Sequence, residues 1–237
     1  KSGFSDDGLQ VILGTDDLGV GLNRFGFVLI STTGFVTEPA VTVSSRFIGD
    51  AATAGATMQT APAELKPWPY GERGLYVAYL TFDRAGDWGI DIVVAGPESS
   101  RREAELVVNV APATSAPAVG SPAIYSESKT VRDVESLAQL TTGSLQDPDL
   151  YQATIAEAIS SDMPTVVVFA SPAFCANEVC GPQLEVLQEV KDEFKGQGSF
   201  IHVDFYDNPD EIQGDLDKAQ LSPTVLEWGL PSIEWTF

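Results

Sequence analysis

Thr165-Val-Val-Val-Phe-Ala-Ser-Pro-Ala-Phe-Cys-Ala-Asn-Glu-Val-Cys-Gly-Pro-Gln-Leu184 decides how the second half of this chain is read. Thr165–Ala170 is a continuous apolar run, as a strand covered on both faces of a parallel sheet requires. The chain then leaves that strand through Ser171-Pro-Ala-Phe-Cys175. Beyond it Leu184, Leu187, Val190 and Phe194 recur at helical spacing, which predicts a helix from the cysteine loop to Phe194, with Gly196 as its stop. Ser199–Tyr206 predicts the next strand, and Leu230–Phe237 begins a further one. Upstream, Leu150, Ile155, Ala158 and Ile159 place an amphipathic helix over Leu150–Ser160. Helices and strands that alternate in this way predict an α/β fold.

The only two cysteines, Cys175 and Cys180, fall inside that stretch. A Cys at a helix start sits at the positive end of the helix dipole, which lowers the thiol pKa and supplies the reactive thiolate. The spacing Cys175-Ala-Asn-Glu-Val-Cys180 is C-x4-C. Five positions along a regular helix separate Cα atoms too far for a bridge, so a bridge needs Cys175 in the loop ahead of the first turn, or a distorted turn. Three readings stay open for the pair: redox activity, a structural staple, or two soft ligands for Cu(I). The lone histidine, His202, is a nitrogen candidate for the third, although a His inside an apolar strand is ordinarily a packed residue. One histidine also excludes a zinc site with two or more imidazoles. Asp204–Asp217 is rich in acidic residues but lacks EF-hand spacing, so it reads as a solvated helix start and loop.

The first half reads as all-β. Trp88, Ile90, Ile92 and Val94 alternate with Gly89, Asp91 and Val93, and Leu106, Val108 and Val110 alternate likewise, the period of strands with one buried face. Leu9–Gly14, Asn23–Thr32, Ala40–Phe47 and Gly74–Phe82 are further strands, with Asp83–Gly86 as a hairpin turn. Lys66-Pro-Trp-Pro-Tyr70 reads as a Pro-rich loop. About seven short strands in one half predict a β-sandwich.

Between the halves, residues 113–128 are small residues and Pro with almost no charge, the composition of a linker. The expected organisation is a sandwich at 1–112, a linker at 113–128 and an α/β domain at 129–237. Both halves are acidic: residues 1–112 carry net −6, residues 126–237 carry net −15, and the whole 237-residue chain carries −21. That balance excludes nucleic-acid binding, which needs a basic footprint, and disfavours anionic lipid surfaces. No apolar run is long enough to span a bilayer.

Phe174-Cys175 followed by Pro182-Gln183-Leu184 resembles the loop of extracytoplasmic thioredoxin-like proteins of the TlpA type, and the wide cysteine spacing is similar to the C-x3-C-Pro of Sco-type copper chaperones. The resemblance implies a thioredoxin-like fold over 130–237, with Pro231 as the cis-Pro that shapes a substrate groove. Where that family has its second cysteine, this chain has Glu178. An alternative register sets Cys180-Gly-Pro-Gln183 against Cys-Gly-Pro-Cys and leaves Cys180 as a lone nucleophile. Such a sheet ordinarily continues with one more strand and helix, and Phe237 stops short of both. Gly74–Ile90, with its Tyr-containing strand, Phe82 and Gly86-Asp-Trp88, together with Asn23-Arg24-Phe25, resembles the Ig-like domains of the YtkA/FixH type over 8–110.

These resemblances imply an extracytoplasmic bacterial protein, tethered through a removed N-terminal segment, that exchanges disulfides with protein thiols. Cys175 would attack, Cys180 would resolve, and the two would be bridged at rest in an oxidising compartment. The alternatives are a non-catalytic interaction module with a structural disulfide, or a copper-binding protein.

Overall fold

A computed structural model describes residues 3–49, 57–68, 71–96, 100–144, 146–174 and 183–237. It divides into two compact units, Lys1–Thr114 and Ser115–Phe237.

In the first unit, eight strands form one antiparallel sheet: β1 (Leu9–Leu13), β2 (Gly21–Ser31), β3 (Gly34–Phe35), β4 (Val41–Phe47), β5 (Thr57–Pro67), β6 (Gly74–Phe82), β7 (Gly86–Ala95) and β8 (Arg101–Val110). The order is β1-β2-β6-β5-β4-β7-β8, with β3 folded back on β2. The end strands β1 and β8 pack side by side, so the sheet is nearly closed and barrel-like. The reason is β5. Its first part, Thr57–Ala63, pairs with β4, and its last part, Glu64–Pro67, pairs with β6. One strand thus welds two half-sheets that would otherwise stack as separate layers.

This corrects the expected two-layer Ig-like sandwich. The strand that makes the weld carries Pro62 and Pro67 and few β-branched residues, which hides it from a propensity reading. The Asp83–Gly86 turn is also not a hairpin: β6 pairs with β2 and β5, whereas β7 pairs with β4 and β8. Trp68 leaves the end of β5 and lies half-buried against Phe35, ring centroids 6.4 Å apart.

Inside the closed sheet the core is apolar. Trp88 is fully buried with Phe82 and Phe47 set edge-on at 5.0 and 5.5 Å, and its indole N–H donates to the Arg84 carbonyl. Tyr76 is fully buried and donates to the carbonyl of Glu38 at 2.8 Å; burial, then the charge of Glu38, pushes its pKa up to about 12. On the outer face Arg46 bridges Asp91 and Glu105 across three strands.

In the second unit, β9 (Thr165–Ala170) pairs in parallel with β10 (Ser199–Asp204) and antiparallel with the two-residue β11 (Trp235–Thr236). The sheet order is β10-β9-β11. Alternate residues of β9 enter two different cores. Val167 and Phe169 pack with Ile155, Ala158, Val225 and Trp228, whereas Val168 and Ala170 pack with Leu184 and Leu187 of the helix Gln183–Glu193. Double coverage is what the uninterrupted apolar run requires.

The α/β thioredoxin-like fold expected for 129–237 is likewise corrected. The chain as a whole is mostly β, and this unit holds a sheet of three short strands with one helix longer than five residues among the described residues. The predicted helices are interrupted. Leu150–Ser160 is a 3-10 turn, Pro148–Tyr151, and a five-residue helix, Ile155–Ile159, opened by a capping box between Thr154 and Glu157. The helix expected from the cysteine loop is described from Gln183 to Glu193 only. The strand expected from Leu230 is reduced to Trp235–Thr236.

Residues 115–128 pack within the second unit. Ala116 lies in its core, Ser126 Oγ accepts from the Trp228 indole at 3.0 Å, and Ser128 Oγ accepts from the Ile155 amide. Gly229, at φ +61°, passes so close that an added Cβ would stand 2.5 Å from the Ser115 carbonyl oxygen.

Candidate functional site

The carboxyl ends of β9 and β10 gather a cluster of buried polar groups, His202, Asp204 and Ser171. In parallel sheets ligands and reactive groups collect at that end of the strands. His202 and Asp204 alternate on β10, so both face the side covered by Tyr151 and the helix Gln183–Glu193. Beyond Ala170, Ser171 begins the loop, and Thr142 approaches from the segment before it.

Asp204 is 4% exposed and accepts four hydrogen bonds: from the Thr142 amide (2.7 Å) and hydroxyl (3.0 Å), the Ser171 hydroxyl (2.7 Å) and the Tyr206 amide (3.1 Å). A buried carboxylate is tolerated when its lone pairs are filled in this way. His202 is 1% exposed. The Tyr151 hydroxyl lies 2.7 Å from its Nδ1, and its Nε2 lies 3.1 Å from the Ala170 carbonyl. The carbonyl can only accept, so Nε2 carries the proton and Nδ1 accepts from Tyr151. Burial holds the imidazole below its ordinary pKa, against the opposing charge of Asp204 and the Ala170 carbonyl. Burial likewise raises the Tyr151 phenol.

A cavity of about 210 Å³ opens beside this cluster, lined among others by Lys129, Tyr151, His202, Asp207, Ser222 and Thr224. At its rim Lys129 pairs with the Asp207 carboxylate at 2.8 Å and donates to the Asp207 carbonyl.

Glu234 stands just before β11. Trp235 pairs with Phe169, which sets Glu234 opposite Ala170, the residue that on its other side pairs with Asp204. Burial first, and the charge of Asp204 second, push the half-buried Glu234 carboxyl up to about 7.

Cys175 and Cys180 lie outside the described residues, as do Gly181 and Pro182. The neighbours that bound them are described. Phe174 closes a 3-10 turn, Pro172–Phe174, and sets its ring edge-on to Tyr206 at 5.6 Å, and Gln183 opens the helix. Pro231 is exposed ahead of β11, and no cis peptide bond occurs among the described residues, so the expected cis-Pro is corrected. The strand beyond it starts only at Trp235, and Pro231 lies in irregular chain outside the ladder.

His202, the nitrogen candidate for copper, has both ring nitrogens engaged. Among the described residues no group of three or more His, Cys, Asp or Glu is arranged to hold a metal ion. No described helix is long and apolar enough to cross a membrane. The acidic stretch after Asp204 works as local capping: Asp215 accepts from the Asp217 amide, and Asp210 and Glu211 occupy the first turn of Pro209–Ile212.

Sequence reasoning misses Asp204 as a buried anion, Tyr151 as the partner of His202, and Glu234. A carboxylate ending an apolar strand, Phe200-Ile-His-Val-Asp204, is the available signal for the first. The other two depend on contacts distant in sequence.

No family model matches the chain, and no curated protein matches it. Among solved structures it is similar to MtrC from Shewanella baltica OS185, at 11% identity and a TM-score of 0.30, over 73% of this chain and 36% of that one. The chain thus spans about a third of that protein's length, at a similarity too low to assign a fold.

Proposed function

We propose that the second unit carries out thiol–disulfide exchange with protein thiols, using Cys175 as attacking thiolate and Cys180 as resolving thiol. The observation that supports this reading is the position of the stretch 175–182 between two fixed points. It leaves Phe174 just beyond the carboxyl end of β9 and rejoins the chain at Gln183, on the crossover between two parallel strands. Both cysteines of the chain fall in that stretch, and the strand it follows, β9, carries Ser171 of the Asp204 cluster just beyond its carboxyl end. An oxidising, extracytoplasmic compartment accompanies that reading.

The test is the reduction potential of the pair against glutathione, together with reduction of a mixed-disulfide peptide by the intact chain. Exchange that is lost in Cys175→Ser and in Cys180→Ser, with a potential above about −300 mV, supports the proposal. A more reducing potential, with no turnover, identifies a structural staple instead. A copper-binding role has less support, because the one imidazole is buried and already bonded at both nitrogens.

A further inference from the structure

β11 is held on β9 by opposing influences on its two faces. On one face Trp235 and Phe237 stack at 6.0 Å with an interplanar angle of 11°, and Phe237 meets Trp228 at 4.7 Å and Phe169 at 6.0 Å. Two main-chain bonds fix its end: the Phe237 amide donates to the Val167 carbonyl at 2.9 Å and the Val167 amide to the Phe237 carbonyl at 3.0 Å. On the other face stands Glu234. Ile233 and Trp235 pack on the Phe169 side, so alternation sends Glu234 to the opposite face, in one row with Ala170 and Asp204.

The two carboxyls in that row are unequally provided for. Asp204 takes four donors and remains solvated by the protein. The structure shows no hydrogen-bond donor to Glu234 among the described residues. Among the described residues the surroundings offer no cation. β9 carries no titratable side chain, nor does Ser171–Phe174, and β10 contributes His202, which is neutral here, and Asp204. The covering helix has Glu185 in its first turn, while its Lys191 is bound by Asp147, Asp149 and Asp192. An ionised Glu234 would therefore be a desolvated anion facing another anion, opposed by the ring contacts of Trp235 and Phe237 and the two Phe237–Val167 main-chain bonds.

We propose that Glu234 is a proton-operated latch: with its carboxyl protonated, β11 stays docked on β9, and ionisation beside Asp204 drives residues 231–237 off and bares the edge of β9. This inference does not depend on the cysteine pair. The raised pKa of Glu234 sets the range, from the ordinary carboxyl value up to about 7. The sign follows from linkage. The docked state binds the proton more tightly than the released state, so docking is strongest in acid and weakens as pH rises toward 7. His202 acts in the opposite sense on the whole unit, since its imidazole must charge as pH falls, so the latch is read from β11 itself and from a difference between variants.

The experiment is hydrogen exchange of the Phe237 and Val167 amides in the intact chain at pH 5.5 and pH 8, corrected for intrinsic rates, in the wild type and in Glu234→Gln. Gln is uncharged at both pH values. The expected result is that wild-type protection of the Phe237 amide falls about tenfold or more between the two pH values. In E234Q it stays within about twofold, and that variant melts higher than wild type at pH 8 but not at pH 5.5. Equal protection of wild type at both pH values overturns the proposal. So does an E234Q chain with the same pH dependence as wild type. If E234Q does not fold, the side-chain carbon resonance of Glu234 in the wild-type chain decides: a titration midpoint near 7 supports the latch, and one near the ordinary value of about 4.3 overturns it.

Discussion

The two units solve the same problem of burial with opposite materials. The first fills a nearly closed sheet with Trp88, Tyr76, Phe25, Phe27 and Phe82, and among its described residues only Asn23 and Ser45 are buried polar groups. The second covers three short strands on both faces and places a chain of polar groups inside: Tyr151 to His202, and Asp204 to Ser171, Thr142 and Tyr206. An apolar core tolerates loss in proportion to volume. A polar network is sensitive to the removal of single atoms, because each orphaned donor or acceptor costs its full desolvation. Stability in the second unit is therefore tied to the protonation of the buried His202 and the half-buried Glu234.

The comparison is broken most forcefully at Trp88. Trp88→Ala removes the largest buried side chain and should cost the first unit about 3–5 kcal/mol; calorimetry of the whole chain should show that loss in one transition and leave the other in place. A joint shift of both transitions would mean the units are not energetically separate. In the second unit, Tyr151→Phe deletes one hydroxyl and strands His202 Nδ1, with an expected cost of about 1–3 kcal/mol by urea unfolding. A loss under about 0.5 kcal/mol would show that water replaces the phenol, and the network would then be looser than its 2.7 Å contact suggests.

Gly229→Ala sharpens the contrast from the backbone side. Its φ of +61° and the 2.5 Å approach to the Ser115 carbonyl leave no room for a methyl group, and the expected cost is roughly 1–2 kcal/mol in the second transition alone. The smallest effect should be a gain. Ser45 faces the core of the first unit at 0% exposure with a hydroxyl that has no hydrogen-bond partner among the described residues, so Ser45→Ala should stabilise that unit by about 1 kcal/mol. A destabilised S45A would indicate a bound water that the alanine displaces.

On pH, His202 should make the second unit less stable as pH falls below about 6.5, the ordinary value of the free imidazole. Its folded pKa is depressed by burial, so the unfolded chain binds the proton first. His202→Gln, in acid unfolding followed by tryptophan fluorescence, should lose that part of the slope. An unchanged slope would assign the acid sensitivity to other groups.

Strands with a clean period of two are legible in the sequence, and so are Thr165–Ala170 and Ser199–Asp204, because a buried strand must be apolar throughout. Topology is not. Whether β6 and β7 pair, or pass each other into different halves of a sheet, leaves no mark on the Asp83–Gly86 turn. β5 is hidden because Pro62 and Pro67 mimic a loop, although both lie in register in the sheet, Pro62 opposite Thr42 and Pro67 opposite Gly74. In the second unit, motif spacing around the cysteines suggests a larger α/β domain than local chemistry supports. Pro148, Pro209 and Pro223 each open a helical element of only four or five residues. Of the candidate site, the residues that stand out in the sequence are those rare in composition, the two cysteines and the single histidine. Glu234 does not, since its character comes from Asp204, distant in sequence and adjacent in the sheet.

The weld made by β5 also sets the order of events during folding. β7 and β8 pair locally, but β4 must find β7, from Phe47 against Trp88 to Val41 against Val94, and β2 must find β6, from Phe27 against Tyr76 to Gly21 against Phe82, each across about half the unit. Such long closures are slow. Until β5 seats itself, β4 and β6 each present an open edge with unpaired amides and carbonyls, the surface through which nascent sheets capture one another. The same strand that completes the sheet therefore governs how concentrated a solution of this chain can be refolded before association outruns folding, and slowing its docking, for instance with glycine in place of Leu65, should lower that limit.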